Sequence, residues 1–318
     1  MLLLLLLLPV LASALPQQLI FTSSPSPLPP LDPSAFPSHT LIQLNDGNFF
    51  PSPAFGVGSI YKRTNVTDMV VQALKTGYRH IDNAAYYDTE EDVASAIAFV
   101  GLKREELYLT SKYDGLEGRD IETEFMDSLR KLNTTYLDQY LIHNPYLAPD
   151  PTKIWPVLES LVQRGFIRSI GVSNYNATSL HTLLSMPSLV IPPAINQIKY
   201  HAYNTISQGP VVALARKSGV LTAAYSALTP LTTETGGPVD DVLEGIAEEE
   251  EITQAQVLLD WVKEQGIAVV TTSGNEGRQK EQLEVFEETF PALTWKHRSA
   301  IWKAGIKGEL KKLLPSAK

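Results

Sequence analysis

The most constraining feature of this sequence is a regular alternation between two kinds of segment. Short apolar segments rich in β-branched and aromatic residues end in polar residues, and an amphipathic segment with helical period follows each of them. The candidate strands span residues 53–58, 78–82, 107–112, 137–143, 166–172, 194–198, 220–225 and 267–271. The candidate helices lie near residues 66–76, 90–99, 120–131, 153–164, 177–185, 208–217, 240–264 (long enough for two helices) and 277–285.

Eight strand-and-helix units without a run of consecutive strands predict an α/β fold in which helices surround a closed parallel barrel, the (β/α)8 TIM barrel. The 318 residues are sufficient, since such a barrel needs about 250. The alternative, an open doubly wound sheet, usually has fewer strands and carries G-x-G-x-x-G after its first strand, where this sequence has none. We also expect a short N-terminal hairpin turning at Asp46 and Gly47, and a C-terminal helix near residues 296–304.

The N-terminal part of the chain differs in composition from the rest. Residues 1–14 are a leucine-rich run ending in A-S-A, which is typical of a cleaved signal peptide and too short for a membrane span. Residues 15–37 form a Pro/Ser-rich linker, expected to be extended or disordered, and the folded domain is expected over residues 38–318. A cleaved leader implies a secretory-pathway or extracellular location, and an uncleaved one a cytoplasmic location.

The composition argues against several classes of function. A formal net charge of −9 offers no electrostatic basis for binding nucleic acid. Without cysteine the chain has no thiol nucleophile, disulfide or thiolate metal site, and its six histidines show no metal-ligand spacing. We therefore expect neither a nucleic-acid partner nor a bound metal, and no stable insertion into a membrane.

Polar side chains mark the carboxyl ends of the candidate strands. They are Asp82 with Tyr87 in the loop behind it, Lys112, His143, Ser173 and Asn174, Asn196 and Gln197, Tyr225 and Ser226, and the Thr-Thr-Ser run at 271–273. In a β/α barrel the carboxyl ends of the strands meet at one face, which carries the active site. The sequence therefore predicts that these groups converge there.

The presence of tyrosine, lysine, aspartate and histidine at one face indicates proton transfer. A free tyrosine has a pKa of about 10, too high for efficient acid–base catalysis near neutral pH. Lys112 close to Tyr87 would lower that pKa, and Asp82 beside the lysine would keep the lysine charged and fixed. His143 could then orient the oxygen that receives the proton.

The segments around these positions resemble the motifs of the aldo-keto reductase family. They are GYRHIDNAAYYDTEEDV (77–93), LTSKY (109–113), DQYLIHNP (138–145), RGFIRSIGVSNY (164–175), INQIKYH (195–201) and AYSAL (224–228). They follow one another in the family's order, and the resemblance runs from about residue 40 to about residue 290, nearly the whole folded part.

This resemblance implies NADPH-dependent reduction of an aldehyde or ketone to an alcohol by reversible hydride transfer. Tyr87 would be the general acid, and Lys112 and Asp82 would tune it. His143 would orient the carbonyl group for hydride attack. The expected partner is therefore a small carbonyl substrate.

The resemblance also implies a set of residues that bind NADP(H). Tyr225 would stack on the nicotinamide, and its carboxamide would be held by Ser173, Asn174 and Gln197. The further contacts would be Ser59, Asp82, Ser226, Leu228, Thr272, Ser273, Arg278 and Gln282. Thr272 stands where the family has a lysine associated with the adenosine 2′-phosphate, so Arg278 is the main cation expected there. Use of NAD(H) beside NADP(H) therefore stays open.

Two alternatives to the reductase differ from it in class. The first is a relative that keeps the barrel and the cofactor but acts through a partner, like potassium-channel β subunits; the complete set of four catalytic residues favours the enzyme. The second is a barrel hydrolase with paired carboxylates, which is disfavoured because only Asp82 supplies a carboxylate among the strand ends. The substrate pocket of the reductase is expected to be lined by Ile60, Tyr61, Asn144 and Tyr146.

Overall fold

The computed structural model describes residues 28–32 and 34–314 and contains a closed barrel of eight parallel strands. A two-stranded hairpin precedes the barrel, formed by β1 (Leu41–Gln43) and β2 (Phe49–Pro51). The barrel strands are β3 (Ala54–Gly56), β4 (His80–Asp82), β5 (Tyr108–Tyr113), β6 (Leu137–Ile142), β7 (Ile167–Ser173), β8 (Ile195–Lys199), β9 (Leu221–Tyr225) and β10 (Ala268–Thr271). Each strand pairs with the next along the chain, and β10 closes the barrel by pairing with β3. The predicted barrel and its hairpin are confirmed.

Helices surround the barrel in the predicted order. They are α1 (Thr67–Thr76), α2 (Glu90–Val100), α3 (Ile121–Lys131), α4 (Pro151–Gln163), α5 (Ala177–Leu184), α6 (Thr205–Lys217), α7 (Thr229–Thr232), α8 (Asp240–Glu250), α9 (Gln254–Lys263), α10 (Glu276–Glu284) and α11 (Trp295–Leu313). The 240–264 region does contain two helices, because Glu251 adopts a left-handed φ of 56° and Thr253 caps a new helix. Two differences remain: the short helix α7 was not predicted, and α11 extends well beyond the predicted 296–304.

Side-chain caps determine where many of these helices begin. In each case the residue before the helix accepts a hydrogen bond from a backbone N–H of the first turn, a bond typical of Asp, Asn and Thr at this position. The capping residues are Asp120, Asp150, Asn176, Thr253, Asn275 and Thr294.

The N-terminal end of the barrel is filled by apolar side chains. Phe50 of the hairpin is fully buried and packs with Ala54, Leu141 and Ile195 in a cluster separate from the larger core that includes most of the helix contacts. Burial of apolar side chains at this end stabilises the barrel by roughly 1.5–3 kcal/mol for each large residue.

The described part of the predicted linker packs against the barrel. Asp32 N donates to Glu105 O at 2.9 Å, and Arg168 Nη2 donates to Pro29 O at 2.8 Å. Phe36 is only 3% exposed. Packing against the domain therefore begins before Ser38, the predicted boundary.

The leader predicted over residues 1–14 lies outside the described residues and stays a prediction. Among the residues that the structure describes, no helix combines the length and the apolar character needed to cross a membrane.

Candidate active site

The predicted catalytic side chains lie at the carboxyl ends of neighbouring barrel strands. Asp82 is the last residue of β4, Lys112 lies near the end of β5, and His143 directly follows β6. Successive side chains of a strand point to opposite faces, so the residue beside each of them faces the helices instead. Tyr87 comes from a single turn of 3-10 helix, Ala85–Tyr87, in the loop after β4.

Lys112 is fixed and charged by its neighbours. Its Nζ donates to Asp82 Oδ2 at 2.8 Å and to Asn83 O at 2.6 Å, while Gln197 Nε2 donates to Asp82 Oδ1 at 2.8 Å. The side chain is fully buried. Burial alone would lower the pKa of Lys112, but Asp82 and Tyr87 outweigh it and raise that pKa above its usual value. The lysine therefore keeps its positive charge inside the protein.

Tyr87 lies close to both this cation and His143. Lys112 Nζ is 5.1 Å from the centroid of the Tyr87 ring, and the rings of Tyr87 and His143 are 5.5 Å apart in an edge-on arrangement. Burial raises the pKa of Tyr87 to about 12, against the smaller lowering effect of Lys112. Lys112 does lower this pKa, as predicted, but burial raises it by more, and the net pKa lies above its usual value. Tyr87 stays protonated at neutral pH, which is the form a general acid requires.

A glycine in the first barrel loop leaves room for the tyrosine ring. A Cβ placed on Gly58 would lie 2.6 Å from Cζ of Tyr87, closer than a real contact allows. The ring therefore packs directly on the backbone of Gly58, and this contact restricts the position of the phenol.

His143 has a partner that the sequence did not suggest. Its Nδ1 lies 2.6 Å from Asp114 Oδ1, and the backbone N–H of Tyr86 donates to Asp114 Oδ2 at 2.9 Å. Both side chains are largely buried, His143 with 13% and Asp114 with 8% exposed. The sequence feature that could have indicated this contact is the acidic residue two positions after Lys112, at the same end of the strand.

The residues predicted to hold the nicotinamide are joined in one network. The Tyr225 hydroxyl donates to Asn174 Oδ1 at 2.8 Å, and Asn174 Nδ2 donates to His143 O at 2.9 Å. Ser173 Oγ donates to Gln197 O at 2.9 Å. These bonds join the predicted cofactor residues of β7, β8 and β9 to one another and to the backbone oxygen of His143, a predicted catalytic residue.

Three of the predicted cofactor residues have an unusual backbone conformation. Ser59, Asn174 and Ser226 have left-handed φ values of 56°, 60° and 59°. This region is costly for residues other than glycine, and such strain concentrates at functional sites. The loops after β3, β7 and β9 therefore hold these residues in place at an energetic cost.

The residues predicted to bind the adenosine phosphate gather around the start of α10. The Thr272 hydroxyl is buried and takes no hydrogen bond within the described residues. Arg278 is exposed, and no ion pair is formed by it in the part of the chain that the structure describes. A free hydroxyl and a free guanidinium beside a helix N-terminus suit a phosphate group.

Two glutamines of α10 face inward. Gln282 is buried and its Oε1 accepts from the Tyr78 hydroxyl at 3.2 Å, so it lies on the barrel side of the helix. Sequence reasoning missed Gln279, which is fully buried and donates from Nε2 to Ser273 O at 2.8 Å. This bond fixes the loop between β10 and α10, where Thr272 and Ser273 lie.

The four predicted pocket residues differ in exposure. Ile60 is 81% exposed and Tyr146 is 72% exposed, while Tyr61 and Asn144 are partly buried. Leu228, predicted to contact the cofactor, is half-buried against the core. Exposed apolar side chains beside a polar site are typical of a surface that binds a ligand.

Comparison with known proteins identifies the family. The model of the Aldo/keto reductase family matches residues 54–303, most of the folded part. The chain belongs to the aldo/keto reductase family. The predicted resemblance is thereby confirmed, and with it a class of oxidoreductases that act on carbonyl groups.

Individual aldo/keto reductases match over most of their length. An NAD/NADP-dependent indole-3-acetaldehyde reductase from Schizosaccharomyces pombe is 33% identical, covering 74% of this chain and 86% of the relative. Aldo-keto reductase AKR2E4 from Bombyx mori is 36% identical, covering 77% of this chain and 87% of its own. The crystal structure of Bombyx mori AKR2E4 with NADP aligns with a TM-score of 0.72 over 83% of this chain. The crystal structure of an aldo/keto reductase from Brucella melitensis aligns with a TM-score of 0.73, also over 83% of this chain.

Proposed function

We propose that this protein reduces an aldehyde or ketone to the alcohol, with NADPH as hydride donor and Tyr87 as general acid. The observation that carries the proposal is the position of the Tyr87 ring, 5.1 Å from the Lys112 ammonium and 5.5 Å from the His143 ring. A protonated phenol beside a fixed cation can release its proton to an oxygen that gains negative charge, because the cation stabilises the phenolate left behind.

The cofactor supplies the hydride, and the protein supplies binding and proton transfer. Tyr225, Asn174 and Gln197 would hold the nicotinamide end. The free hydroxyl of Thr272 and the free guanidinium of Arg278 would bind the adenosine phosphate. The Bombyx mori relative was crystallised with NADP and the Schizosaccharomyces pombe relative is named for both cofactors, which supports NADPH as the main cofactor and NADH as a second one.

The substitution Tyr87→Phe tests the acid directly. The ring can stay packed on Gly58, so we expect cofactor binding to remain and kcat for carbonyl reduction to fall by about 10²–10⁴-fold, the usual contribution of a general acid. The neighbouring Tyr86→Phe is the matched control, since the Tyr86 side chain is 41% exposed and its hydroxyl is not part of the site. The measurement is the rate of NADPH oxidation with a panel of aldehydes and ketones, at the same starting concentration of NADPH for each protein.

Two outcomes of this test would contradict the proposal. If Tyr87→Phe keeps more than roughly a tenth of the wild-type kcat, a loss below about 1.4 kcal/mol, Tyr87 is not the acid. If the wild-type protein binds NADPH but reduces no member of the panel, the alternative of a cofactor-binding protein that acts through a partner is favoured.

We further propose that the leader over residues 1–14 is cleaved and directs the protein to the secretory pathway. The apolar run ending in A-S-A supports this, as do N-x-[ST] sequons at Asn65, Asn133 and Asn176. N-terminal sequencing of the native protein should give a chain starting near Leu15. A native chain that starts at Met1 would refute the proposal.

A further inference from the structure

The carboxylate of Asp114 connects the two groups of the proposed reaction. One oxygen accepts from the backbone N–H of Tyr86, next to the proposed acid, and the other lies 2.6 Å from Nδ1 of His143. Asp114 is itself held, because its backbone N–H donates to the buried Glu124. The position of this carboxylate is therefore fixed from both sides.

This contact determines which nitrogen of His143 carries a proton. A carboxylate can only accept hydrogen bonds, so Nδ1 must be the donor. In a neutral imidazole one nitrogen donates and the other accepts, which leaves Nε2 with a lone pair. Nε2 has no hydrogen-bond partner within residues 28–32 and 34–314.

We infer that Asp114 is a positioning residue that keeps the proton of His143 on Nδ1, so that Nε2 donates to a substrate oxygen only when the ring is an imidazolium. The inference rests on the proposed carbonyl reduction for its functional consequence, but not for the position of the proton. Carbonyl reduction needs a hydrogen-bond donor to the carbonyl oxygen. The rate of reduction would therefore fall when the imidazolium loses the proton on Nε2. The neutral ring would instead accept a hydrogen bond from the hydroxyl of an alcohol and so suit binding of the substrate of the reverse reaction.

The other groups facing His143 leave this role to Asp114. The Tyr87 phenol meets the ring edge-on at 5.5 Å and is neutral, and the hydrogen bonds of the Lys112 ammonium go to Asp82 and Asn83 instead. Asn174 bonds only the backbone oxygen of His143. Among the described residues, Asp114 is the one ionised group in contact with the imidazole.

The substitution Asp114→Asn should reverse the arrangement. The backbone N–H of Tyr86 can only donate, so the carboxamide oxygen must face it and the amide NH2 must face Nδ1 of His143. Nδ1 then becomes the acceptor, and the neutral ring carries its proton on Nε2. The exposed Asp241→Asn, on the outer helix α8, is the matched control.

Long-range ¹H–¹⁵N NMR spectra of the full chain at alkaline pH measure the tautomer directly, because protonated and unprotonated ring nitrogens have distinct shifts. A spectrum of His143→Gln identifies the signals of His143 among the six histidines. We expect the proton on Nδ1 in the wild type and in Asp241→Asn, and on Nε2 in Asp114→Asn. A neutral His143 ring protonated on Nε2 in the wild type would overturn the inference. This outcome is measured on the wild-type protein and does not depend on the folding of Asp114→Asn.

The pH profile of carbonyl reduction tests the functional consequence. As the pH is raised from acidic to alkaline, kcat/KM of the wild type should fall by about tenfold or more, the usual effect of losing a hydrogen bond from a charged donor. The decrease should be under about threefold in Asp114→Asn, since its neutral ring still donates. Equal profiles would overturn the role of Asp114. Failure of the wild type to reduce any carbonyl would refute the proposed function and leave the tautomer result standing.

Discussion

His80 is a titratable group buried far from the carboxyl ends of the barrel strands. It begins β4, where Nδ1 lies 2.8 Å from Pro51 O and Nε2 lies 2.8 Å from Thr110 Oγ1. Phe50 of the hairpin packs edge-on against its ring at 4.7 Å. Burial, opposed in part by the hydrogen bond to Pro51, lowers the pKa of His80 to about 4. The folded protein therefore holds this histidine neutral.

This pKa predicts a specific loss of stability in acid. The unfolded chain, with a histidine pKa of about 6.5, binds more protons than the folded chain between about pH 6.5 and 4. The free energy of unfolding should therefore decrease as the pH falls through that window. His80 should account for about 2 kcal/mol of this decrease at about pH 5. We expect His80→Gln to be less stable than the wild type at neutral pH. Between about pH 7 and 5, however, its free energy of unfolding should decrease by about 2 kcal/mol less than that of the wild type.

Urea unfolding at several pH values measures this difference, with the exposed His39→Gln as control. His39→Gln should follow the wild type throughout. Equal acid losses in the wild type and His80→Gln would show that His80 is not the group that takes up the proton.

At the residue scale, the sequence was most informative where chemistry follows a strand directly. Asp82, Lys112 and His143 were predictable because each interrupts an apolar pattern at the end of a strand. Asp114 was not, since its contact with His143 spans 29 residues and depends on loop geometry. The net pKa of Tyr87 also depends on burial, which a pattern of residue types does not measure.

Helix α10 carries both an acidic residue, Glu276, and a basic residue, Arg278, in its first turn. Asn275 caps it by accepting from Arg278 N at 3.0 Å, and Arg278 places a cation in the first turn, where the helix dipole disfavours positive charge. A bound phosphate would compensate for that cost. Lys280 lies in the same helix, but its charge is paired with Glu276 at 2.6 Å.

We expect Arg278→Ala to weaken NADPH binding by roughly ten- to a hundredfold, because a charge-assisted hydrogen bond contributes about 1.5–3 kcal/mol. NADH has no 2′-phosphate, so the same substitution should weaken NADH binding less. Thr272→Lys should raise the preference for NADPH by adding a second cation. Fluorescence quenching gives the Kd of each cofactor for the wild type and the variants.

Lys280→Ala, from the same helix, is the control and should leave both dissociation constants unchanged. Equal weakening of NADH and NADPH by Arg278→Ala would mean that Arg278 does not contact the phosphate.

At the element scale, the order and type of the main strands and helices were predictable from periodicity, but the length of α11 was not. Gly305 and Gly308 weaken a helix in isolation. In the structure they allow close packing, since a Cβ on Gly305 would lie 2.1 Å from Ala202 O and one on Gly308 would lie 2.4 Å from the Tyr203 ring. Tertiary packing thus extends a helix through residues that would otherwise end it.

The whole molecule has two functionally different ends. Apolar side chains and the hairpin close the N-terminal end of the barrel, while the polar and strained residues of the site lie at the other. The segment before the hairpin contacts the closed end, through residues at the start of β5 and β7. Stability and catalysis should therefore respond separately to changes at the two ends.

N-terminal truncation tests this separation. A chain starting at residue 28 keeps the packed segment, whereas one starting at residue 38 loses the burial of Phe36 and the hydrogen bonds of Asp32 and Pro29. Burial of a phenylalanine contributes about 1.5–3 kcal/mol and each hydrogen bond about 0.5–1.5 kcal/mol. The free energy of unfolding should therefore be lower by roughly 2.5–6 kcal/mol in the shorter chain than in the longer one.

Chemical denaturation of both chains measures the difference, and Phe36→Ala in the full-length protein is the matched control for the aromatic contribution. We expect Phe36→Ala alone to account for at least half of the loss, because a side chain with 3% exposure leaves a cavity when it is removed. The kcat of carbonyl reduction should be the same in all three proteins below their unfolding transitions, since the proposed site lies at the opposite end of the barrel. Equal unfolding free energies of the chains starting at 28 and 38 would show that the segment only rests on the surface.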